Sequence, residues 1–452
     1  MKGDMGKSIA IVGSGLVGTV LAIALKQEGH QVFVYEKGDD IRTIDFSGRS
    51  INLALSERGW KMLKRVGLEE KVRQFGIPMH QRAIHHVNRE EHQPYGIHGE
   101  AIWAVSRGGL NKKLVEWAEE VGVQFVFNTP IWSVDTKRGV LYTSESEYQE
   151  WKEIQHDMVF GADGAYSKVR SCLQRRSRFE YQQSYLPIGY KELVIPAKAT
   201  GVFAMDEHSF HIWPRKDFML IALPNMDGSF TCTLFMPYQG EVSFEAIKTQ
   251  EQVIAFFQTY FPDAMQLMPD LVELYTANPV NSLVTTTCFP WVYKDKVALI
   301  GDAAHAVVPF YGQGLNAGLE DVDVLLDYLQ QNPENWMEAL DQYQYSRKVN
   351  ADAIAELSYR NFREMSELTA NPLFLLRKKI ESKFAKKYPD LWLPLYDRVT
   401  FSKGSYQEAL AIGDEQAAIM DVIMETEQIE VVWDSPEIEE KLKQLINENR
   451  GF

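Results

Sequence analysis

The hexapeptide Gly13-Ser14-Gly15-Leu16-Val17-Gly18 constrains this chain most, because it stands between the β-rich run SIAIV and the helical run TVLAIALKQEG that ends at Gly29. In a strand, turn and helix of this kind the first glycine permits the sharp turn. The second lets a pyrophosphate approach the backbone, and the third lets helix pack closely on strand. Unpaired N–H groups at the helix N-terminus are then offered to phosphate. A second strand-like run, QVFVYE, ends on Glu36, whose carboxylate can bind ribose hydroxyls. The pattern predicts a βαβ unit that binds a dinucleotide, and it leaves NAD and FAD both open.

The opening MKGDMGK and the apolar run from Ile9 to Leu25 have the outline of a secretion signal, but glycines at motif spacing and the strand that follows argue for a folded element. No stretch offers the roughly 18–20 uninterrupted apolar residues of a membrane helix. With 452 residues, 45% hydrophobic and 24% charged, the chain can form two or three domains. Its 47 basic and 62 acidic side chains, a net charge of −15, argue against a nucleic-acid partner. Cys172, Cys232 and Cys288 are too few and too dispersed for a disulfide framework, and fit small buried side chains in a reducing cytoplasm.

Two further glycine-rich segments follow apolar runs. GADG, residues 161–164, follows Met158-Val159-Phe160, and GDAAHAVVPFYGQGLNAG, residues 301–318, follows Val297-Ala298-Leu299-Ile300. Asp302 at a strand end can bind a ribityl or ribose hydroxyl, while Gly312, Gly314 and Gly318 permit a tight loop into a new helix. A long cofactor reaching several loops of one domain fits FAD better than NAD.

Ser56 to Phe75 reads as helix with a serine N-cap candidate, and residues 107–122 read likewise before the strand-like run 123–127. Between 202 and 237 the short segments SFHIWP, FMLIALP and FTCTLFMP predict an antiparallel insertion, and helical patterning dominates beyond about Leu325. The expected division is a discontinuous FAD-binding domain (1–75, 100–180 and 285–328), a substrate domain (76–99 and 181–284) and a C-terminal helical region (329–452). His305 sits in a glycine-rich loop with no evident carboxylate partner and reads as structural. His80, His85, His86, His92 and His98 cluster in sequence, but none has metal-ligand spacing, so no metal is expected.

Taken together, IVGSGLVG, GADGAYSKVR and GDAAH…GQGLNAGLED resemble the three cofactor segments of the single-component flavoprotein aromatic hydroxylases. RSINLALSERG (49–59), QPYG (93–96), GYKEL (189–193), HIWP (211–214), NFREM and VTFS make the chain similar to the kynurenine 3-monooxygenase branch, from about residue 8 to about residue 405. This resemblance implies an α/β, para-hydroxybenzoate hydroxylase-like fold. It implies bound FAD, with NADPH and O2 as co-substrates, and hydroxylation of L-kynurenine to 3-hydroxykynurenine through a flavin hydroperoxide. It places FAD against Gly13, Gly15, Gly18, Glu36, Leu55, Arg107, Asp302, Leu315 and Asn316. The substrate falls against Arg82, Tyr95, Asn361 and Tyr396, and Gln313 beside the reacting groups as the catalytic candidate. A guanidinium and two phenols can grip a carboxylate, and an amide oxygen can accept from an ammonium. The wall that excludes water draws on the β-rich insertion, with Phe235 and Met236 as candidates.

Tyr311 stands where related sequences often carry Phe or His, and Leu315 replaces the frequent methionine of their GQGMN segment. The hydrophobic C-terminal anchor of eukaryotic members is absent, which implies a soluble cytoplasmic enzyme with no membrane anchor, for which a homodimer is one arrangement left open. Hydroxylation of another aromatic compound, flavin reduction or oxidation without oxygen insertion, and a non-catalytic nucleotide-binding role remain as other readings.

Overall fold

Ile9, Ala10 and Ile11 are fully buried in the computed structural model, so the Ser8–Val12 strand is covered on both faces, the condition of a central strand in a parallel sheet. It pairs in parallel with Gln31–Tyr35 on one edge and Met158–Gly161 on the other. Gln124–Val126 extends the sheet on the first side; Val297–Leu299 and then the antiparallel Val292–Tyr293 extend it on the second, giving six strands. The structure describes residues 6–44, 52–96, 99–364 and 371–450, the last two in backbone only; His98, Arg49, Ser50, Ile51 and Met365 lie outside the described residues.

Helix Leu16–Gln27 contacts both Arg107–Glu120 and Gly314–Gln331 beside this sheet. Ser106 caps the second, its hydroxyl accepting from the Gly109 N–H at 3.2 Å. The single helix expected from Ser56 to Phe75 is two, Glu57–Arg65 and Glu69–Arg73, because Gly67 turns with φ +73 between them. Ser56 occupies the N-cap position without a side-chain capping bond.

A seven-stranded sheet runs in the order Asn281–Phe289, Glu180–Ile195, Phe230–Pro237, Phe218–Pro224, Ser209–Arg215, Gln81–His85, Glu90–Pro94. All its pairings are antiparallel except that of Ser209–Arg215 with Gln81–His85. Alternation along the strands gives it two faces. Trp213, Leu220, Phe230, Cys232, Leu234 and Met236 pack with Phe256, Phe257 and Phe261 of the helical segment Gln250–Met265. Ile212, Ile221, Thr231, Thr233 and Phe235 face a cavity instead. Met236, expected at the cavity wall, is therefore turned the other way into the core, fully buried, while Phe235 does line the cavity.

Beyond these layers the long helix Trp336–Arg363 packs on Gly314–Gln331 and on Tyr406–Met424. The last begins with a reciprocal capping box between Ser405 and Glu408. Ile380, Phe384, Trp392, Met420, Ile423 and Leu442 form a separate small core among the C-terminal helices. Among the described residues no helix is long and apolar enough to cross a membrane.

Candidate active site

Loops at the end of the six-stranded sheet and the uncovered face of the seven-stranded sheet enclose a cavity of about 1800 Å³. That exceeds the roughly 300–1,000 Å³ that takes one drug-sized ligand, and leaves room for an elongated cofactor together with a second molecule. Gly15, Arg107, Asp302, Leu315, Arg82, Tyr95, Asn361 and Tyr396 all line it. The sequence places these residues far apart, and the fold brings them to one surface.

At one end the glycines of the first loop divide the work. Gly13 has φ +103, and a Cβ on it would lie 2.6 Å from the Ala162 carbonyl; a Cβ on Gly18 would lie 2.5 Å from the Gly13 carbonyl. Both positions are closed by the protein itself. At Gly15 a Cβ would meet nothing within 4 Å, and no side chain caps the helix that begins there. Its first N–H groups are therefore open to an anion. Glu36 accepts from the Ser14 N–H at 2.9 Å, the Ser14 hydroxyl at 3.0 Å and the Gly38 N–H at 2.9 Å. A carboxylate has about four lone-pair sites, so room for one ribose hydroxyl remains.

Asp302 is exposed and lines this cavity, with no hydrogen-bond partner among the described residues. The surrounding protein raises its carboxyl above the usual value, a rise that His305 and Arg107 oppose. Arg107, at the start of its helix, is likewise exposed and lines the cavity. An open carboxylate, an open guanidinium and an uncapped helix end facing one space fit the hydroxyls and phosphates of FAD.

Three side chains tie the glycine-rich segments to one another and to their neighbours. The Arg170 guanidinium donates to the carbonyls of Ala303 at 2.8 Å and Ala165 at 2.6 Å. The Asn316 amide donates to Ala54 at 2.8 Å and accepts from the Ser56 N–H at 2.9 Å. Asp321, fully buried, accepts from Arg347 Nε at 2.7 Å, from the Gly301 N–H at 3.0 Å, and lies 2.5 Å from His305 Nε2. Burial opposes the Asp321 charge, but the His305 and Arg347 partners overcome it and hold the carboxyl below its ordinary value. His305 thus has a carboxylate partner, sixteen residues on in GQGLNAGLED, where a helix places it out of sight of a linear reading. Arg347 gave no signal in sequence.

Leu55, Asn316 and Gln313 do not line the cavity. Leu55 and Asn316 are fully buried, and Gln313 is 2% exposed. The Gln313 amide oxygen accepts from the Tyr406 hydroxyl at 2.9 Å, and its nitrogen lies 3.4 Å from the Ser56 hydroxyl. Their side chains shape the loop from behind.

At the other end Arg82 lies flat on Tyr396, its guanidinium carbon 3.8 Å from the ring centre, and 5.4 Å from that of Tyr95. Tyr95 stacks on Tyr396 at 5.8 Å and Tyr396 on Tyr311 at 5.6 Å, so Tyr311 continues a ladder of phenols. Asn361 Nδ2 donates to the Phe310 carbonyl at 2.7 Å, which orients its amide. The Arg82 Nε and the Tyr95 hydroxyl are buried with no hydrogen-bond partner among the described residues. Leaving such groups unpaired costs roughly 1–3 kcal/mol each, a cost that a bound carboxylate would remove.

A family model described as "FAD binding domain" matches residues 7–358. The chain is 56% identical over 441 residues to a kynurenine 3-monooxygenase of Flavobacterium psychrophilum, covering 98% of this chain and 99% of that one. It is 42% identical to the kynurenine 3-monooxygenase of Dictyostelium discoideum, covering 90% and 91%. Among solved structures, 2-methyl-3-hydroxypyridine-5-carboxylic acid oxygenase superposes with a TM-score of 0.68 at 22% identity, covering 82% of this chain and 95% of that one. Pseudomonas aeruginosa PqsL superposes with a TM-score of 0.61 at 19% identity, covering 80% and 96%; both likenesses are of fold. With full-length identity above half and a cavity whose open groups suit a flavin dinucleotide, the chain belongs to the kynurenine 3-monooxygenase family of FAD-binding proteins.

Proposed function

We propose that the chain hydroxylates L-kynurenine on the ring carbon ortho to the aromatic amine. NADPH supplies two electrons, one oxygen atom of O2 enters the product, and the other leaves as water. The unpaired Arg82 Nε beside the unpaired Tyr95 hydroxyl, in one cavity with Gly15 and Asp302, carries this reading. FAD, when bound, takes the hydride from NADPH and activates O2 for transfer to the ring.

In this reading the glycine end holds the cofactor: the N–H groups after Gly15 take the pyrophosphate, Glu36 and Asp302 take hydroxyls, and Arg107 supplies positive charge. Arg82 grips the substrate carboxylate with the phenols of Tyr95 and Tyr396 beside it, and the Asn361 amide oxygen accepts from the ammonium. Phe235 packs on Phe310 at 5.3 Å and, with Ile221 and Tyr190, walls the ring from water. Gln313 acts by fixing the loop through Tyr406. The domain built on the six-stranded sheet carries the cofactor, and the seven-stranded sheet carries the substrate. All three cysteines are buried and unpaired, which suits a reducing cytoplasm.

The test is turnover with a panel of kynurenine, hydroxybenzoates and other anilines, reading NADPH oxidation, oxygenated product and peroxide. Kynurenine should give product in proportion to NADPH consumed; oxidation of NADPH with peroxide alone would overturn the assignment.

A further inference from the structure

Arg58 and Tyr406 line neither end of the cavity, yet the fold brings both to the back of the loop that closes it. Gly312, Gly314 and Leu315 of that loop line the cavity, while the side chain of Gln313 between them turns away and is buried. Gln313 precedes helix Gly314–Gln331 without capping it. Its amide reaches instead to Tyr406, fully buried at the start of helix Tyr406–Met424, no residue of which lines the cavity.

Hydrogen-bond valence fixes the direction of the amide. Gln313 Nε2 lies 3.5 Å from the Tyr311 carbonyl, which only accepts, so the nitrogen belongs on that side and the oxygen faces the Tyr406 hydroxyl, which donates to it. Arg58 lies across the Tyr406 ring, its guanidinium carbon 4.1 Å from the ring centre, close enough for cation–π attraction. That guanidinium donates to the Gly404 carbonyl at 2.7 Å and to Glu320 at 3.1 Å, and Glu320 is held in turn by Arg347 at 2.7 Å. The helix that carries Arg58 has no slack against the loop, because a Cβ on Gly59 would lie 2.5 Å from Asn316 Oδ1. The loop itself is the softer partner: Gly312 has φ +66, and a Cβ on Gly314 would meet nothing nearer than Val307 Cγ2 at 3.8 Å.

We infer that Tyr406 is a positioning residue: with Arg58 it latches the 312–315 loop from behind, so that the efficiency of oxygen transfer depends on a helix outside the cavity. The inference rests on the reading proposed above, in which the loop carrying Gln313 lies beside the reacting groups. Without the Tyr406 hydroxyl the Gln313 oxygen is buried and unpaired, a costly state, and the glycines on either side let the loop shift to re-pair it. A cofactor held against Gly312 and Gly314 shifts with the loop, whereas Arg82, on the seven-stranded sheet, does not. The substrate is then gripped as before but lies out of register with the oxygen it is to receive, and more of that oxygen leaves as peroxide.

Holoenzyme carrying Tyr406→Phe tests this, because the substitution keeps the ring under Arg58 and removes only the hydroxyl. FAD occupancy and the kynurenine KM should stay within about twofold of the parent, the pattern of a change felt in the reaction rather than in binding. Product-forming kcat should fall roughly tenfold, inside the about 100-fold that a 1 Å misplacement costs. Peroxide per NADPH should rise, and the visible circular dichroism of the bound flavin should change before any substrate is added. Gln313→Leu should do the same, and Tyr406→Phe added to Gln313→Leu should change coupling and dichroism no further, as expected of partners in one contact. Arg58→Lys keeps a charge for Glu320 but loses the planar stack, so it should shift both readouts part of the way; it carries the test if Tyr406→Phe does not fold. A Tyr406→Phe enzyme, or Arg58→Lys in its place, that melts earlier yet keeps parental coupling and dichroism overturns the inference, as do effects of Tyr406→Phe and Gln313→Leu that add. If Gln313→Leu leaves both readouts unchanged, the loop reading falls and the inference with it; if Gln313→Leu is impaired and Tyr406→Phe is not, the inference falls alone.

Discussion

Gly15→Ala separates cofactor contact from folding. Gly15 has φ −66 and ψ 170, a conformation alanine adopts without strain, and the added Cβ meets no protein atom within 4 Å. The apoprotein should therefore lose no more than about 1 kcal/mol, the cost of alanine in place of glycine at an N-cap. With FAD present the methyl occupies the space through which phosphate reaches the helix N–H groups. Loss of one charge-assisted hydrogen bond is worth about 1.5–3 kcal/mol, which raises the FAD dissociation constant roughly 10- to 150-fold. Gly18→Ala provides the contrast, because its Cβ would lie 2.5 Å from the Gly13 carbonyl and 2.9 Å from Ala162 Cβ. That overlap should destabilise the apoprotein by about 1–3 kcal/mol. Titrating apoprotein with FAD by flavin fluorescence quenching, beside thermal melts of each apo variant, reads both quantities. An unchanged FAD affinity in Gly15→Ala, or an apoprotein as destabilised as Gly18→Ala, would refute the division of labour among the glycines.

Arg82→Ala should raise the kynurenine KM at least about 30-fold, the lower part of the cost of stripping a partner from a bound charge, with normal flavin absorbance; Arg82→Lys should recover only part of this. Asp321→Asn leaves Arg347 and His305 without their shared anion and should cost about 3–5 kcal/mol of stability by denaturant melts. Because folding holds the Asp321 carboxyl below its ordinary value, its stabilisation is present above the unfolded carboxylate pKa and is lost as pH falls through the lower folded value; the variant should lack that acid-side loss. Phe235→Ala should increase peroxide released per NADPH, whereas Met236→Ala should cost about 2–5 kcal/mol of stability and leave coupling intact.

What could be read in advance follows physical distance along the chain. Gly13 was legible because a turn with φ +103 between buried strand and helix admits little but glycine. The strands of the β-rich insertion were legible from their composition, but the faces of Phe235 and Met236 were not, because register decides them and register is set by neighbours. Asp321 lay inside a quoted motif, yet its partners His305 and Arg347 come from the short helical turn Asp302–His305 and the separate helix Trp336–Arg363. The pairing of His85 with His211, across strands joined by a long excursion, has no periodic signature at all. Glycine and local pattern mark where the backbone must go; polar partners across the fold are chosen by tertiary structure.

Turnover under isotopically labelled O2 tests the central claim most directly. Holoenzyme with kynurenine and NADPH should yield 3-hydroxykynurenine carrying one labelled oxygen atom, close to one product per NADPH, and Arg82→Ala should lose this at low substrate while keeping its flavin. Unlabelled product, or peroxide as the sole fate of the oxygen, would contradict it.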